Sequence, residues 1–272
     1  MSGTDAEQAG RASGPGNGPS PAHPADRINV ASRARLLAEV EDRLQQARGF
    51  ALATLNLDHV VKLVRDPQFA AAYDAQDIVV ADGNPIVWLR RLAGKPVELI
   101  PGSELISPLA AIAARNGVPV AFLGSRDEVL EAAAKRLEDD HPGLKIVTRI
   151  SPPMGYDPDG EAAAADLARL AGDGAGLCFL ALGAPKQERL AARGRDLAPR
   201  TGFVSVGAGL DFIAGHQRRA PRWVRKLAME WLWRMASNPR RLAGRYAACA
   251  LTLPGLVVQS YAAGRYGLAG EE

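Results

Sequence analysis

Between residues 31 and 47 the apolar positions Leu36, Leu37, Val40 and Leu44 recur at helical spacing, and Gly49 ends the run. Beyond it the pattern changes. Short stretches that are almost continuously apolar alternate with amphipathic ones. Stretches 50–54, 77–81, 97–101, 118–123, 144–150, 176–182 and 202–206 read as strands, and 107–116, 128–138 and 160–171 as helices between them. Ser125-Arg126-Asp127-Glu128 has the spacing of a capping box at the start of one such helix. Apolar strands alternating with helices predict an α/β fold, with a mainly parallel sheet covered by helices on both faces. In such a sheet the ligand crevice lies beyond the carboxyl ends of the strands, so the residues that follow each strand carry the chemistry.

Composition and charge divide the chain further. Residues 1–28 are rich in Gly, Pro, Ala and Ser and show no apolar period, which predicts a disordered tail; no continuous apolar stretch marks a secretory signal there. Residues 29–215 form the expected core, and 216–272 a helical, basic, membrane-proximal appendage. No run approaches the 18 uncharged apolar residues of a bilayer span. The nearest, 247–261, is interrupted by Pro254-Gly255 and is expected to lie in an interface rather than cross it. Cys178 and Cys249 lack metal-ligand spacing and read as buried free thiols in a reducing cytoplasm. From Arg218 to Tyr246 nine Lys and Arg face the single acid Glu230, a local charge of +8 in a chain of net +3. Trp223, Val224, Leu227, Trp231 and Met235 recur there at spacings near three and four, as on one side of a helix flanked by cations. Such a segment suits anionic lipid, although nucleic acid would attract the same charges.

The strand ends carry short polar motifs. Thr54-Leu55-Asn56 supplies two polar groups where the chain leaves the first strand, with Asn56 also fitting a helix N-cap; His59 reads as a surface helix residue. Ala81-Asp82-Gly83 places a carboxylate at a strand end, suited to a general base or to a cap before Pro85. Gly102-Ser103 and Gly124-Ser125 are turns with a hydroxyl and backbone N–H groups, as phosphates require. Gly183-Ala184-Pro185-Lys186-Gln187-Glu188 combines a close-approach glycine, a cation for an anion, and an amide that both donates and accepts. Gly207-Ala208-Gly209-Leu210-Asp211-Phe212 is a poor dinucleotide fingerprint, because Phe212 stands where the third glycine belongs. Asp157-Pro158-Asp159 reads as a helix cap with Pro158 at the first helical position rather than as a metal-binding pair.

Taken in order, these motifs resemble one family. It comprises the bacterial glycosyltransferases named for teichoic-acid N-acetylmannosaminyltransferase, enterobacterial-common-antigen N-acetylmannosaminuronic acid transferase and capsule-polysaccharide transferases. Ser151-Pro152-Pro153, Arg219-Ala220-Pro221, Glu230-Trp231-Leu232-Trp233-Arg234 and Pro239-Arg240-Arg241 complete the likeness, which runs from about residue 31 to 246. The resemblance implies a Rossmann-like core and a metal-independent, inverting transferase with no cofactor. Its donor would be a UDP-sugar carrying a hexose or N-acetylhexosamine, and its acceptor a sugar on a polyisoprenyl diphosphate. Asp82-Gly83-Asn84-Pro85 departs from the Asp-Gly-x-Gly pattern of the teichoic-acid branch and looks more like members that build exopolysaccharides.

The resemblance further implies Asp82 as the base and Arg219 as the cation on the leaving diphosphate, with Arg222 and Arg225 as alternatives. Thr54, Asn56, Gly102, Ser103, Gly124, Ser125, Gly183, Lys186, Gln187, Gly207, Gly209 and Asp211 would line the substrate site. The expected location is the cytoplasmic side of the plasma membrane, peripherally bound to anionic lipid, with no nucleic-acid partner and a homo-oligomer left open. The rival classes are a nucleotide-dependent oxidoreductase, weakened by Phe212, and a basic nucleic-acid-binding protein, weakened by confinement of the charge to one segment.

Overall fold

The structure, a computed structural model, describes residues 23–217 and 239–267. Six strands form one all-parallel sheet: β1 (Phe50–Leu55), β2 (Ile78–Ala81), β3 (Val120–Gly124), β4 (Ile146–Ile150), β5 (Leu177–Ala181) and β6 (Gly202–Ser205). Their order is β2-β1-β6-β5-β3-β4. β1, β2, β3 and β6 are buried throughout, as strands covered on both faces must be, whereas edge strand β4 alternates exposed and buried positions.

The expected strand at 97–101 does not form. Pro96 and Pro101 bound the run without N–H groups, and it makes isolated bonds, Glu98 N–H to Ala31 O and Ile100 N–H to Ala81 O, both at 2.8 Å.

Ten helices are described: α1 (Arg33–Gln45), α2 (Leu57–Arg65), α3 (Pro67–Asp74), α4 (Asn84–Leu92), α5 (Ile106–Arg115), α6 (Asp127–Asp140), α7 (Glu161–Gly172), α8 (Lys186–Leu197), α9 (Gly209–Ile213) and α10 (Pro239–Gly267). One core layer joins Leu36, Leu109 and Leu130 of α1, α5 and α6 to Phe122 and Phe179 of the sheet. A second packs Leu167 of α7 and Leu190 of α8 on Phe203. The third gathers α2, α3 and α4 beside β1 and β2, and α10 contributes Leu256 to it.

Two local expectations change. Asp157 does not cap α7, which starts at Glu161 after Gly160; its carboxylate instead accepts from Asp159 N–H at 3.1 Å, and Asp159 pairs with Arg189 of α8. Ser125 does not open a capping box either. Arg126 is the N-cap of α6 without a side-chain cap bond, and the Ser125 hydroxyl turns to Asp211.

At the two ends the described chain extends past the expected pattern. Pro24–Arg27 forms a 3-10 turn with Ala25 buried, inside the stretch whose composition predicts disorder, and Asp26 pairs with Arg90 at 2.6 Å. α10 runs through Pro254, so Pro254-Gly255 does not interrupt it. Its segment Tyr246–Arg265 is by length and composition apolar enough to cross a membrane. One side of α10 is held by the core: Leu256 is buried, Ser260 Oγ meets His23 Nε2 at 3.2 Å, and a Cβ at Gly264 would stand 2.4 Å from Leu92 O. Leu251, Val258 and Tyr261 are exposed on the other side.

Candidate active site

The parallel sheet brings the ends of β1, β2, β3, β5 and β6 to one edge. Thr54, the penultimate residue of β1, is buried and donates Oγ1 to Asp82 Oδ2 at 3.3 Å. Asp82 follows β2 and continues the ladder through its N–H to Leu55 O at 2.8 Å. It is not a cap, because Gly83 is the N-cap of α4 and makes no side-chain bond. The carboxylate is therefore held over the end of β1 by Thr54.

Thr54 is itself anchored from below. Tyr73 of α3 donates its hydroxyl to Thr54 O at 2.9 Å, and His59 Nδ1 lies 2.8 Å from the same hydroxyl. A phenol has one proton and the carbonyl can only accept, so His59 Nδ1 carries the hydrogen and donates to Tyr73. His59 is thus a buried partner, not the surface residue its position in an amphipathic helix suggests. Its ring also meets Phe69 and Tyr73 edge-on. Burial raises the Tyr73 phenol well above its usual range, helped by the carboxyl groups of Glu188 and Asp82. Asn56 is the N-cap of α2, its Oδ1 accepting from His59 N–H at 3.0 Å.

Two turns press directly on this edge. A Cβ at Gly102 would lie 3.1 Å from Ser205 O and 3.2 Å from Thr54 Cγ2, so only glycine brings the turn carrying Ser103 this close to β1 and β6. Gly124 has φ of 114°, and a Cβ there would stand 2.5 Å from Ala181 O. Ser125, also at positive φ, donates its N–H to Ala181 O at 3.1 Å and its hydroxyl to Asp211 Oδ2 at 3.3 Å. Ser151, after β4, bonds Ser125 O at 2.9 Å.

The middle of the edge belongs to the Gly183–Glu188 turn. Lys186 opens α8 and is half-buried. Lys62 of α2, which the sequence did not single out, reaches across to Ala184 O at 3.3 Å while pairing with Asp58 at 2.7 Å. Gln187 does not present its amide to solvent: it is buried, donating to Glu188 Oε1 at 2.8 Å and accepting from Gly207 N–H at 3.0 Å. Burial pushes the Glu188 carboxyl up to about 7, against the pull of the Gln187 bond and of Lys62. Gly209 packs on Ser103, where a Cβ would approach Ser103 Cα to 3.2 Å.

The structure therefore assembles Thr54, Asp82, Gly102 and Ser103 at one end, Gly124, Ser125 and Asp211 at the other, and Gln187 with Gly207 and Gly209 between. Asp82 and Ser125 follow strands four places apart, about 19 Å at the usual inter-strand spacing, so a ligand touching both must be long. Arg219, Arg222, Arg225 and the aromatic stripe from Trp223 to Met235 lie outside the described residues.

A parallel α/β sheet with a carboxylate and glycine-hydroxyl turns along its carboxyl edge is the frame on which α/β enzymes bind their ligands. Residues 25–266 match the family described as Glycosyl transferase WecG/TagA/CpsF family, and the chain belongs to it. It is a glycosyltransferase. A relative in Bacillus spizizenii is 29% identical over 199 residues, 73% of this chain and 75% of the relative. One in Bacillus subtilis strain 168 is 25% identical with the same coverage. Both bear the name N-acetylglucosaminyldiphosphoundecaprenol N-acetyl-beta-D-mannosaminyltransferase.

Proposed function

We propose that this protein transfers a hexose or N-acetylhexosamine from a UDP-sugar to a sugar carried on a polyprenyl diphosphate, in a single inverting displacement. The observation that carries the reading is Asp82, held over the β1 end by Thr54. The Asp82 carboxylate takes the proton from the acceptor hydroxyl as that oxygen attacks the anomeric carbon, and the bond to UDP breaks on the opposite side. The departing diphosphate gains charge, which Arg219 neutralises, with Arg222 and Arg225 as alternatives. The glycine-hydroxyl turns at Ser103 and Ser125 suit phosphate or sugar oxygens farther along the edge, and Lys186 at the start of α8 suits an anion. The lipid-linked acceptor is supported by the names of the two Bacillus relatives.

The reading includes a place of work. Residues 29–215 form the catalytic core, with 216–272 as an appendage that docks on the inner face of the plasma membrane. The +8 segment from Arg218 to Tyr246 supports this, as does the apolar side of α10 with Leu251, Val258 and Tyr261. Exposed Val64 of α2, and Trp88 and Leu92 of α4, belong to the two helices on which α10 packs. Because the other side of α10 is built into the core, the helix lies along the bilayer rather than across it.

The test is a panel of UDP-sugars, N-acetylmannosamine, N-acetylglucosamine and glucose among them, offered with N-acetylglucosamine on a polyprenyl diphosphate, with and without EDTA. Transfer that persists in EDTA and gives the inverted anomer is the expected result. Transfer restored only by Mg²⁺ or Mn²⁺, or a retained anomer, overturns the mechanism; no transfer from any UDP-sugar overturns the donor.

A further inference from the structure

Glu188 is the single acidic residue among the fully buried side chains of the described chain, and its Oε2 has no hydrogen-bond partner among the described residues. An ionised carboxylate with one oxygen unpaired is costly in such a site. The surrounding groups do not neutralise it. From α2, Lys62 is engaged by Asp58 and by Ala184 O, and Asp58 adds a like charge; from α3, Tyr73 is a neutral phenol. Gln76, on the turn after α3, meets Glu188 through its backbone, Nε2 to Glu188 O at 3.0 Å. The neutral acid fits this environment.

What the acid holds is specific. Its Oε1 accepts from Gln187 Nε2, which fixes the amide so that Gln187 Oε1 faces the Gly207 N–H. Gly207 has φ of 54° and begins the turn into α9, which carries Asp211 to Ser125. The chain of bonds therefore runs from a buried acid to the backbone of the turn after β6, in the middle of the candidate site.

We propose that Glu188 is a positioning residue whose carboxyl, through Gln187, holds the Gly207 turn in the shape that receives the donor's diphosphate. The diphosphate part of this rests on the function proposed above. A carboxylate accepts from Gln187 at least as well as the neutral acid does, so ionisation of Glu188 keeps that hold but sets a negative charge behind the turn that must accept an anion.

The experiment compares the full chain, E188Q and E188A between pH 6 and 8.5. It reads amide exchange at Gly207, corrected for intrinsic exchange, together with UDP affinity and the steady-state constants. In the wild type, UDP affinity should fall by about tenfold as pH rises through neutrality, the equivalent of one unit of coupling, with kcat nearly constant and Gly207 protection kept. E188Q keeps the neutral form and should stay at the low-pH wild-type values throughout. E188A should expose Gly207 at every pH and raise the donor KM more than it lowers kcat. A Gly207 amide as protected in E188A as in the wild type, a wild-type UDP affinity indifferent to pH, an E188Q variant that retains the wild-type pH dependence, or an unfolded E188Q overturns the proposal. If the wild type binds no UDP at any pH, the donor assignment fails, while exchange at Gly207 still decides whether Glu188 positions the turn.

Discussion

The Thr54 hydroxyl donates to the Asp82 carboxylate across 3.3 Å, linking the ends of two adjacent strands. The bond is long for a hydroxyl and a carboxylate. It orients the carboxylate over the end of β1.

Asp82→Asn should abolish transfer, with loss on the order of 10²–10⁴ in kcat, and leave UDP affinity nearly unchanged. The amide keeps the shape and can still accept from Thr54, but it cannot take a proton. Steady-state rates beside calorimetric UDP binding make the check. A variant that keeps more than about half of wild-type turnover removes Asp82 from the role.

Tyr73→Phe should cost about 1–3 kcal/mol of stability, because it removes the buried hydroxyl between His59 Nδ1 and Thr54 O. Transfer should fall as well, since Thr54 loses the anchor beneath it. Urea unfolding with an unchanged m-value measures the first effect. No shift in the urea midpoint means that the chain of bonds adds nothing to stability.

Much of this was legible in the sequence, and the failures share a cause. Apolar runs located all six strands, and spacing alone marked Asn56 as a cap. The added strand at 97–101 was an apolar run whose flanking prolines withhold the N–H groups that a ladder uses. Ser125 matched a capping box locally, yet its hydroxyl bonds Asp211, 86 residues away. His59, Tyr73, Lys62 and the buried state of Glu188 were invisible for the same reason: each is defined by a partner on another element. The one available signal was chemical, a Tyr and a His placed among the apolar positions of α2 and α3. Asp82 could be found because its place at a strand end is a local property; what it does there depends on Thr54.

Stability should vary with pH through Glu188. Its folded pKa of about 7 lies above the ordinary 4.5, so the folded state binds the proton more tightly than the unfolded chain. The contribution is complete below about pH 4.5 and declines as pH rises toward 7, by an amount on the order of 3 kcal/mol at most. Urea midpoints for wild type and Glu188→Gln, compared across pH 5 to 8, should converge at the acid end. They should separate toward pH 8, with the variant the more stable. Parallel curves would assign the acid-side stability to other groups.

The membrane face is best tested by placing charge on the exposed side of α10, not by removing the helix. Truncation before Arg218 would strip Leu256 from the core layer beside β1 and the Ser260 contact from His23, so lost activity would report damage to the fold. Leu251 and Val258 are 84% and 69% exposed, and substituting Glu at both should change stability by no more than about 0.5 kcal/mol per site. If this side of α10 lies in the bilayer, the double variant should lose binding to vesicles rich in anionic lipid, through both lost apolar contact and added repulsion. Transfer to the polyprenyl-linked acceptor should fall with it, while UDP affinity in solution stays at the wild-type value. Leu256→Glu provides the contrast, since that buried site should cost the fold itself. Full vesicle binding by the folded double variant would move the membrane contact off α10 and leave it to the basic segment from Arg218 to Tyr246.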